Sequence, residues 1–395
     1  MRITIVLGPF FPIPPVIGGA VEKVHVQLAS AYKAAGHEVT IISRRYQNFP
    51  FYEAIDGVNH LRIPSTDRSS SLVANLFLDF VYAVRALFFL PRSDVTVTNS
   101  FWLPLLLHRR TAGKIYVHVA RFPKHQMGLY FRADRLQAVS QAIAKAIMAQ
   151  APSLADRVVC IGNPVPEAYF DAQTEAERNR TVLFVGRLAR EKGVHLLIEA
   201  FALLMRDPRR QRQEWKLRIV GPHDVSQGGD GDEYLSELRD LAAPLGTACE
   251  FLGPIFEQND LIAQYSAASI FAYPSVAETG EAFGLAPLEA MATGCAAIVS
   301  DLRCFDDFIE DGRSGMRFDH KARNRVERLA AVLSGLMASR ELRDRIAGNG
   351  RRVAENFRTS RIAEKMLDDF ANAAATAPIA LLGWRHSREK AWSSD

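Results

Sequence analysis

Short apolar runs alternate with amphipathic stretches over the first part of the chain. The run Ile3 to Leu7 precedes a stretch in which Val21, Val24 and Leu28 repeat at helical spacing before a stop at Gly36. Four more β-branched runs follow, each before a polar or helical stretch: "EVTIIS" (38–43), "DVTVTNS" (94–100), "KIYVHVA" (114–120) and "RLQAVS" (135–140). This alternation predicts a doubly wound, parallel α/β sheet.

A second series of the same kind follows a change in composition. Two prolines and a charged, polar run around 163–180 are typical of a linker. Strand–helix pairs then run from "RTVLFVGRL" to "AAIVSD". We therefore predict a first Rossmann-like domain over 1–165, a linker over 166–180, a second domain over 181–365, and a helix and tail over 366–395 that pack back on the first domain. Two such domains face each other across a deep cleft, where ligands bind.

Two apolar segments bear on location. The N-terminal run is interrupted by Gly8 and by prolines, which favours a buried strand over a signal peptide. The segment 72–90 is long enough to span a membrane, but Asp79 and Arg85 lie within it and are costly at bilayer depth. We predict a buried core helix there and no transmembrane segment, with an exposed helix that touches a membrane as the alternative.

Composition and charge narrow the class of protein. The 395 residues are 48% hydrophobic and 23% charged, which is typical of a folded globular protein. A net charge of +4 does not indicate a nucleic-acid-binding protein, although residues 1–180 carry 20 Lys and Arg against 13 Asp and Glu. That imbalance suggests either an anionic partner, such as a lipid head group, or merely a solvated surface. The four cysteines have neither metal-site nor disulfide spacing, so we expect reduced thiols in a cytoplasmic protein.

The stretch "EAFGLAPLE" holds two carboxylates, Glu281 and Glu289, eight positions apart. The pattern places Glu281 just before a helix and Glu289 within it, on roughly the same side and somewhat over a turn deeper. The amides of Phe283, Gly284 and Leu285 are then unpaired donors at a helix N-terminus, suited to phosphate or hydroxyl oxygens. Taken alone, the two carboxylates fit equally a helix-terminal charge and a solvated side chain.

Cations and glycines stand at two other strand ends. Arg187 and Lys192 directly follow a predicted strand, where a guanidinium and an ammonium suit a diphosphate, although two exposed loop cations fit the pattern too. Gly18 and Gly19 lie at a strand-to-helix turn, where backbone amides can approach an anion. His118 ends a strand, and a lone histidine there is more often structural. Neither a GxGxxG fingerprint nor a P-loop accompanies them, which argues against a nicotinamide dehydrogenase or an NTPase.

The pair Asp230 and Asp232 has the D-x-D spacing of a divalent-metal site. It lies in a glycine-rich loop far along the chain from Arg187 and Lys192. We predict a flexible loop that leads to a helix capped by Asp, and no metal site, because the two cations can stabilise a diphosphate in place of a metal.

Together these stretches resemble the retaining, nucleotide-sugar-dependent glycosyltransferases of GT-B fold, most closely glycosyltransferase family four. The resemblance covers nearly the whole chain, from Gly18-Gly19 through "YVHVA" and "VVCIGNPVPEAYF" to "VLFVGRLAREKGVHLLIEAF" and the E-x7-E element. It departs in "EAFG", which has Ala282 where the family usually has glycine. It also has Ser269 in place of an acidic residue, and an additional Glu278 without an assigned role.

The resemblance implies a role for each position that matches. Arg187 and Lys192 match the pair that holds the donor diphosphate, and Glu289 matches the carboxylate that binds the ribose hydroxyls. Glu281 and the 283–285 amides match groups that face the transferred sugar. Gly18 and Gly19 match a loop that meets the phosphates from the first, acceptor-side domain, and His118 matches a histidine beside the donor sugar.

The implied reaction transfers a hexose from a UDP- or GDP-sugar to a hydroxyl, with retention of configuration and without a cofactor. The basic first half, the apolar 72–90 helix and the Trp-rich basic tail favour a lipid-linked or surface-polysaccharide acceptor, and peripheral contact with the inner face of the plasma membrane. Two alternatives stay open at this point. One is a nucleotide-sugar epimerase of similar fold, and the other is a non-catalytic homologue that binds a partner or a membrane.

Overall fold

The computed structural model of the chain describes residues 1–17, 19–172, 178–208 and 214–373. The predictions for Gly18 and for the tail beyond residue 373 lie outside these residues. Eight strands build the first sheet: β1 (Arg2–Val6), β2 (Glu38–Arg44), β3 (Tyr52–Ile55), β4 (Val58–Ile63), β5 (Val95–Thr98), β6 (Lys114–Val119), β7 (Arg135–Ala138) and β8 (Val158–Cys160). Six build the second: β9 (Asn179–Val185), β10 (Lys216–Val220), β11 (Cys249–Gly253), β12 (Ala268–Tyr273), β13 (Ala296–Ser300) and β14 (Met316–Phe318).

Both sheets are doubly wound, as the alternation of apolar runs predicts. The strand orders are β3-β4-β2-β1-β5-β6-β7-β8 and β11-β10-β9-β12-β13-β14. The pairings are parallel except for β3 with β4, which form an antiparallel hairpin at the edge of the first sheet. The central strands are buried on both faces, since four of the five residues of β1 and all six of β12 are buried. Near-continuous apolar runs are what such strands require.

Helices cover the faces of the two sheets. In the first domain they are α1 (Ala20–Ala34), α2 (Leu72–Phe89), α3 (Leu103–Leu106), α4 (Arg109–Ala112) and α5 (Gln141–Gln150). The connection to the second domain contains α6 (Glu167–Asp171), and the second domain holds α7 (Val194–Met205), α8 (Gly231–Ala242), α9 (Gln258–Ala267), α10 (Leu285–Thr293), α11 (Arg325–Ala338) and α12 (Arg340–Ala354). A last described helix, α13 (Thr359–Asn372), follows.

Helix α13 lies on the first domain. Phe370 packs edge-on against Tyr32 and Tyr116, with ring centroids 5.7 and 4.8 Å apart. Arg135 of β7 forms an ion pair with Asp369 at 3.1 Å. The chain therefore crosses between the domains twice, and the crossings lie side by side because Thr359 N donates to Val165 O at 3.0 Å.

Helix α2 contradicts the prediction of a buried core helix for 72–90. Only four of its 18 residues, Asp79, Tyr82, Ala83 and Ala86, are buried. The helix packs along one narrow stripe and turns the rest of its apolar surface outward. The sequence could not distinguish these cases because apolar residues occur on every side of this helix. By length and composition it is also the one helix in the described ranges that could span a membrane.

Candidate active site

A buried ion pair joins two segments of the second domain. Lys192 ends a 3₁₀ turn that follows β9, and Glu281 lies in the loop between β12 and α10. Lys192 Nζ donates to Glu281 Oε2 at 2.7 Å, and both side chains are about nine-tenths buried or more. The hydroxyl of Tyr273 donates to the same oxygen at 3.1 Å. The structure thus brings together two predicted site residues that lie 89 positions apart in the chain.

The loop after β12 fixes the position of that turn. Val276 N donates to Glu191 O at 2.8 Å, and Ser275 Oγ donates to the same carbonyl at 3.1 Å. These contacts hold residue 191, and with it Lys192, beside the carboxyl end of a buried strand. Fixed groups at such an edge are where ligands bind in open α/β sheets.

Arg187 reaches the ion pair through a residue that sequence reasoning missed. Its guanidinium donates to Glu191 Oε1 at 2.8 Å and to the carbonyl of Gly228. The same Glu191 oxygen lies 3.7 Å from Lys192 Nζ. One carboxylate is therefore shared by the two predicted diphosphate-binding cations. The i,i+4 spacing from Arg187 to Glu191 was the available signal.

Gly284 shapes the loop that carries Glu281. Its φ of 84° is left-handed, and a Cβ there would lie 2.4 Å from Phe305 Cε1, so a side chain is excluded. The Phe283 ring is buried, 5.5 Å from the ring of Phe308 between centroids. Phe283 can therefore offer a ligand its backbone amide alone. Leu285 opens α10, whose first amides have no acceptor within the helix.

The loop also contacts the first domain, at the start of α5. Ser140 Oγ donates to Ala282 O at 2.7 Å, and Gln141 N donates to Asp307 Oδ2 at 3.0 Å. Burial raises the pKa of Asp307 to about 6. Because α5 follows β7, the carboxyl ends of both sheets meet here. Ala282, noted as a departure from the family pattern, presents its carbonyl to the other domain.

Glu289 lies on α10, apart from the ion pair. Its Oε2 accepts from the Tyr265 hydroxyl at 3.1 Å, and Tyr169 of the interdomain segment is a further hydrogen-bond partner. Burial raises the pKa of Glu289 to about 7, although both tyrosines and Lys23 favour the ionised form. Near neutral pH this carboxyl therefore exists in both protonation states.

His118 is a buried, neutral imidazole in the first domain. Its Nδ1 hydrogen bonds to Gln137 Oε1 of the neighbouring β7, and Gln137 Nε2 donates to Ile161 O. Because Gln137 Oε1 can only accept, Nδ1 carries the proton and Nε2 is left as an acceptor. That Nε2 is buried and has no hydrogen-bond partner among the described residues. Burial lowers the pKa of His118 to about 4.

Two residues of α1, His25 and Glu22, belong with His118 to the first-domain side of the candidate site. Sequence reasoning missed both. The His25 ring stands edge-on to His118 at 4.6 Å between centroids, and burial lowers its pKa well below the ordinary value. Glu22 is buried, and burial raises its pKa. Its carboxylate folds over Gly19, where φ is 107° and a Cβ would lie 2.3 Å from Glu22 Oε2. The available signal was the helical spacing of Glu22 and His25 with Leu28 and Tyr32, which places both polar residues on the apolar face of α1.

The D-x-D pair and Glu278 have structural partners. Asp230 stands at the N-terminus of α8 without capping it, because its carboxylate accepts from Arg190 N at 2.6 Å. The predicted cap is thus wrong, and Asp230 caps the 190–192 turn instead. Asp232 lies 3.1 Å from His223, and Glu278 lies 2.8 Å from both His320 and Lys321. In the ranges that the structure describes, no group of three or more His, Cys, Asp or Glu side chains could hold a metal ion.

Two family models match the chain. "Glycosyl transferase 4-like domain" matches residues 19–183, and "Glycosyl transferases group 1" matches residues 166–353. The spore coat protein SA of Bacillus subtilis is 24% identical over 394 residues, which cover 93% of this chain and 98% of that protein.

Solved structures share the fold. Sucrose-phosphate synthase of Thermosynechococcus elongatus superposes with a TM-score of 0.75 at 22% identity, covering 95% of this chain and all of that one. The Anabaena protein HepE, in complex with UDP and glucose, superposes with a TM-score of 0.69 at 18% identity, covering 94% of this chain and all of that one.

Two facing doubly wound domains with polar groups at the meeting carboxyl edges define a glycosyltransferase of GT-B fold. The chain belongs to the GT4-type glycosyltransferases, since the two family models together match residues 19–353.

Proposed function

We propose that this glycosyltransferase moves a hexose from a UDP- or GDP-sugar to a hydroxyl acceptor, with retention of anomeric configuration. The observation that carries the proposal is the buried contact between Lys192 and Glu281. It joins a group suited to a leaving diphosphate to a group suited to sugar hydroxyls, at a cleft edge. HepE, which shares the fold, is a complex with UDP and glucose, and this supports a nucleotide-sugar donor.

Diphosphate binding would replace one carboxylate with another anion. Glu191 Oε1 lies 2.8 Å from Arg187 and 3.7 Å from Lys192, so a phosphate oxygen in place of this carboxylate oxygen can contact both cations. The side chain of Arg187 is 42% exposed, whereas that of Lys192 is buried and paired with Glu281. We infer that Lys192 stabilises the charge that grows on the leaving phosphate, and that Arg187 closes on the diphosphate.

The remaining groups orient the donor. Ionised Glu289 accepts hydrogen bonds from the ribose hydroxyls, and the 283–285 amides and Glu281 hold the sugar. His118, neutral with an unprotonated Nε2, accepts a hydrogen bond from a sugar hydroxyl. Gly19 allows the first domain's backbone to approach the phosphates. None of these roles requires a cofactor or a metal.

The reaction itself follows from the placement of charge. Glu281 Oε2 accepts hydrogen bonds from both Lys192 and Tyr273, so this carboxylate is a poor nucleophile for the anomeric carbon. The acceptor oxygen attacks from the face that the diphosphate leaves, and the acceptor proton passes to the departing phosphate oxygen. The product keeps its configuration, and domain closure excludes water.

The acceptor is proposed to be a lipid-linked or surface-polysaccharide glycan at the cytoplasmic face of the membrane. The excess of Lys and Arg in residues 1–180 and the outward apolar surface of α2 support it. Both features belong to the acceptor-side domain.

The test is a calorimetric screen of nucleotide sugars, followed by product analysis with the donor that binds best. We expect sugar transfer or slow donor hydrolysis with retained configuration. Release of an isomerised sugar nucleotide would favour an epimerase, and binding without turnover a non-catalytic homologue.

Glu281→Gln sharpens the test. Turnover should fall about 10²- to 10³-fold, while UDP binding should change less than about threefold because UDP lacks the sugar. Glu278→Gln, in the same loop but paired with His320 and Lys321, is the matched control. Equal turnover in both variants would remove the role assigned to Glu281.

A further inference from the structure

Helix α2 carries a continuous apolar stripe on the outside of the first domain. Val73, Phe77, Phe80, Val84 and Phe88 follow one another at helical spacing, so their side chains share one face. Phe88 is 81% exposed, Val73 76% and Phe77 65%. Large aromatic side chains exposed in a row are unusual on a monomeric protein and mark an interaction surface.

The helix is held to its domain, so this surface cannot leave the protein to span a bilayer. Buried Asp79 accepts from Ser100 Oγ and from the amides of Phe101 and Trp102, all at about 3 Å. Trp102 Nε1 donates to Leu76 O at 2.8 Å. Extracting α2 would leave these groups without partners, so the helix can only lie flat against an apolar surface.

Aromatic contacts extend the stripe toward the cleft. Phe80 packs on Trp102 at 5.7 Å, Trp102 on Phe101 at 5.0 Å, and Phe101 on Tyr130 at 6.5 Å between ring centroids. The next residue, Phe131, is 62% exposed. Because residues 100–102 follow β5, this extension lies at the carboxyl edge, where the two domains meet.

Cations flank the apolar surface. Arg85 is exposed and is the only charged residue of α2 besides the buried Asp79. Arg132 is exposed and stacks on Phe131 at 5.7 Å, and exposed Arg92 follows the end of α2. Apolar aromatic side chains bordered by arginines complement the acyl boundary and the phosphates of an anionic bilayer. A second copy would bring the same arginines against each other, which disfavours self-association through this face.

We propose that the outward stripe of α2, continued by Phe131, docks this protein on an anionic bilayer surface. The N-terminal turns of α2, where none of residues 72–78 is buried, lie beside the carboxyl edge of the sheet, because Leu76 O accepts from Trp102 Nε1 after β5. Docking through this part of α2 places the mouth of the cleft against the membrane, so that an acceptor embedded in the bilayer can enter the cleft directly from the membrane. This deepens the proposed function and rests on it only for the nature of the acceptor.

The test is sedimentation of the full-length chain with vesicles, without donor or acceptor. Vesicles of phosphatidylcholine mixed with phosphatidylglycerol should bind the protein, and pure phosphatidylcholine should bind it at least about tenfold more weakly. The double variant Phe77→Gln, Phe88→Gln should lose binding about 10- to 100-fold because two exposed aromatic side chains no longer insert. Arg132→Gln should weaken binding about fivefold, an effect that added salt removes.

The control is Phe256→Gln, which removes a ring that is 59% exposed in the second domain. It should bind vesicles like the parent chain, and all variants should keep the parental circular dichroism and UDP affinity. Parental binding by the double variant would overturn the proposal, as would a chain that never pellets. So would sedimentation equilibrium showing a dimer that the double variant abolishes. Because no sugar transfer is measured, none of these results decides the proposed reaction.

Discussion

In the second domain Lys192 and Glu281 are buried as charges, whereas in the first domain His25 and His118 are buried as neutral rings. Lys192 Nζ and Glu281 Oε2 lie 2.7 Å apart, so each buried charge has a partner of opposite sign. The histidines instead leave two ring nitrogens, the Nε2 atoms, without a partner among the described residues. One half of the candidate site therefore presents buried charges, which suit a ligand that carries or develops charge. The other half holds neutral rings, of which His118 offers its Nε2 as an acceptor to an uncharged hydroxyl.

The largest expected effect comes from breaking the charged half. Lys192→Met should lower turnover about 10³-fold, because the buried cation no longer stabilises the leaving group, and should lower the free energy of unfolding by about 3 kcal/mol, because buried Glu281 loses its counter-ion. Enzyme assays and urea unfolding measure the two quantities.

A double variant separates these losses. Lys192→Met with Glu281→Gln removes both charges, so stability should return toward the parent value while turnover stays lost. Lys216→Met is the control, since the side chains of its ion pair with Glu250 are 45% and 30% exposed and such a pair contributes at most about 1 kcal/mol. A fully active, destabilised Lys192→Met enzyme would make the pair structural only.

Lowering the pH should reveal how the neutral histidine His118 contributes to the free energy of unfolding. The pKa of His118 is lowered to about 4, so below about pH 6.5 the unfolded chain binds a proton that the native chain does not. Its contribution to stability is therefore present above pH 6.5 and is lost as the pH falls towards 4, by about 3 kcal/mol in all. Urea unfolding at several pH values should show a shallower loss in His118→Asn than in the parent.

In this pH range the contribution of His118 is obtained from the difference in unfolding free energy between His118→Asn and the parent chain. Glu289 and Asp307 have raised pKa values, so their native forms hold protons that the unfolded chain releases, and they favour stability at the acid end of the same range. His125→Asn, which removes an exposed imidazole, is the control. Parallel pH profiles of His118→Asn and the parent would show that the His118 ring can be protonated in the fold.

The smallest expected effect concerns Glu289, whose carboxyl belongs neither to the charged Lys192–Glu281 pair nor to the neutral histidines. Glu289 titrates at about pH 7, so if only its ionised form binds ribose, donor affinity should fall about tenfold between pH 8 and pH 6. Isothermal titration with UDP measures this. Glu289→Gln should bind more weakly at pH 8 and lose the pH dependence, and a parent chain with constant affinity would contradict the assigned role.

The sequence predicts two doubly wound, mainly parallel sheets because parallel strands buried on both faces leave continuous apolar runs. The hairpin of β3 and β4 escaped notice although Asp56 and Gly57, both with positive φ, form a recognisable two-residue turn between its strands. The exposure of α2 could not be read at all. Whether an apolar helix is covered depends on the tertiary packing of its partners.

The candidate site also has features that local sequence patterns predict and features that depend on tertiary packing. The positions of Lys192, Glu281 and Glu289 follow from strand ends and helix starts, which local patterns predict. Their protonation and pairing do not, because the hydrogen-bond partners of Glu289, Tyr169 and Tyr265, lie in separate elements. Gly18 lies outside the described residues, and the catalytic roles of all these residues stay predictions.

The return of α13 to the first domain has a consequence for how the protein is made. Tyr116 and its contact residue Met366 are 250 positions apart, so the second domain is synthesised between them. A ribosome releases the first sheet early, with the aromatic surface around Tyr32 and Tyr116 still uncovered. The domain that begins synthesis first therefore completes its core last, and its nascent form should be a client for chaperones until α13 emerges.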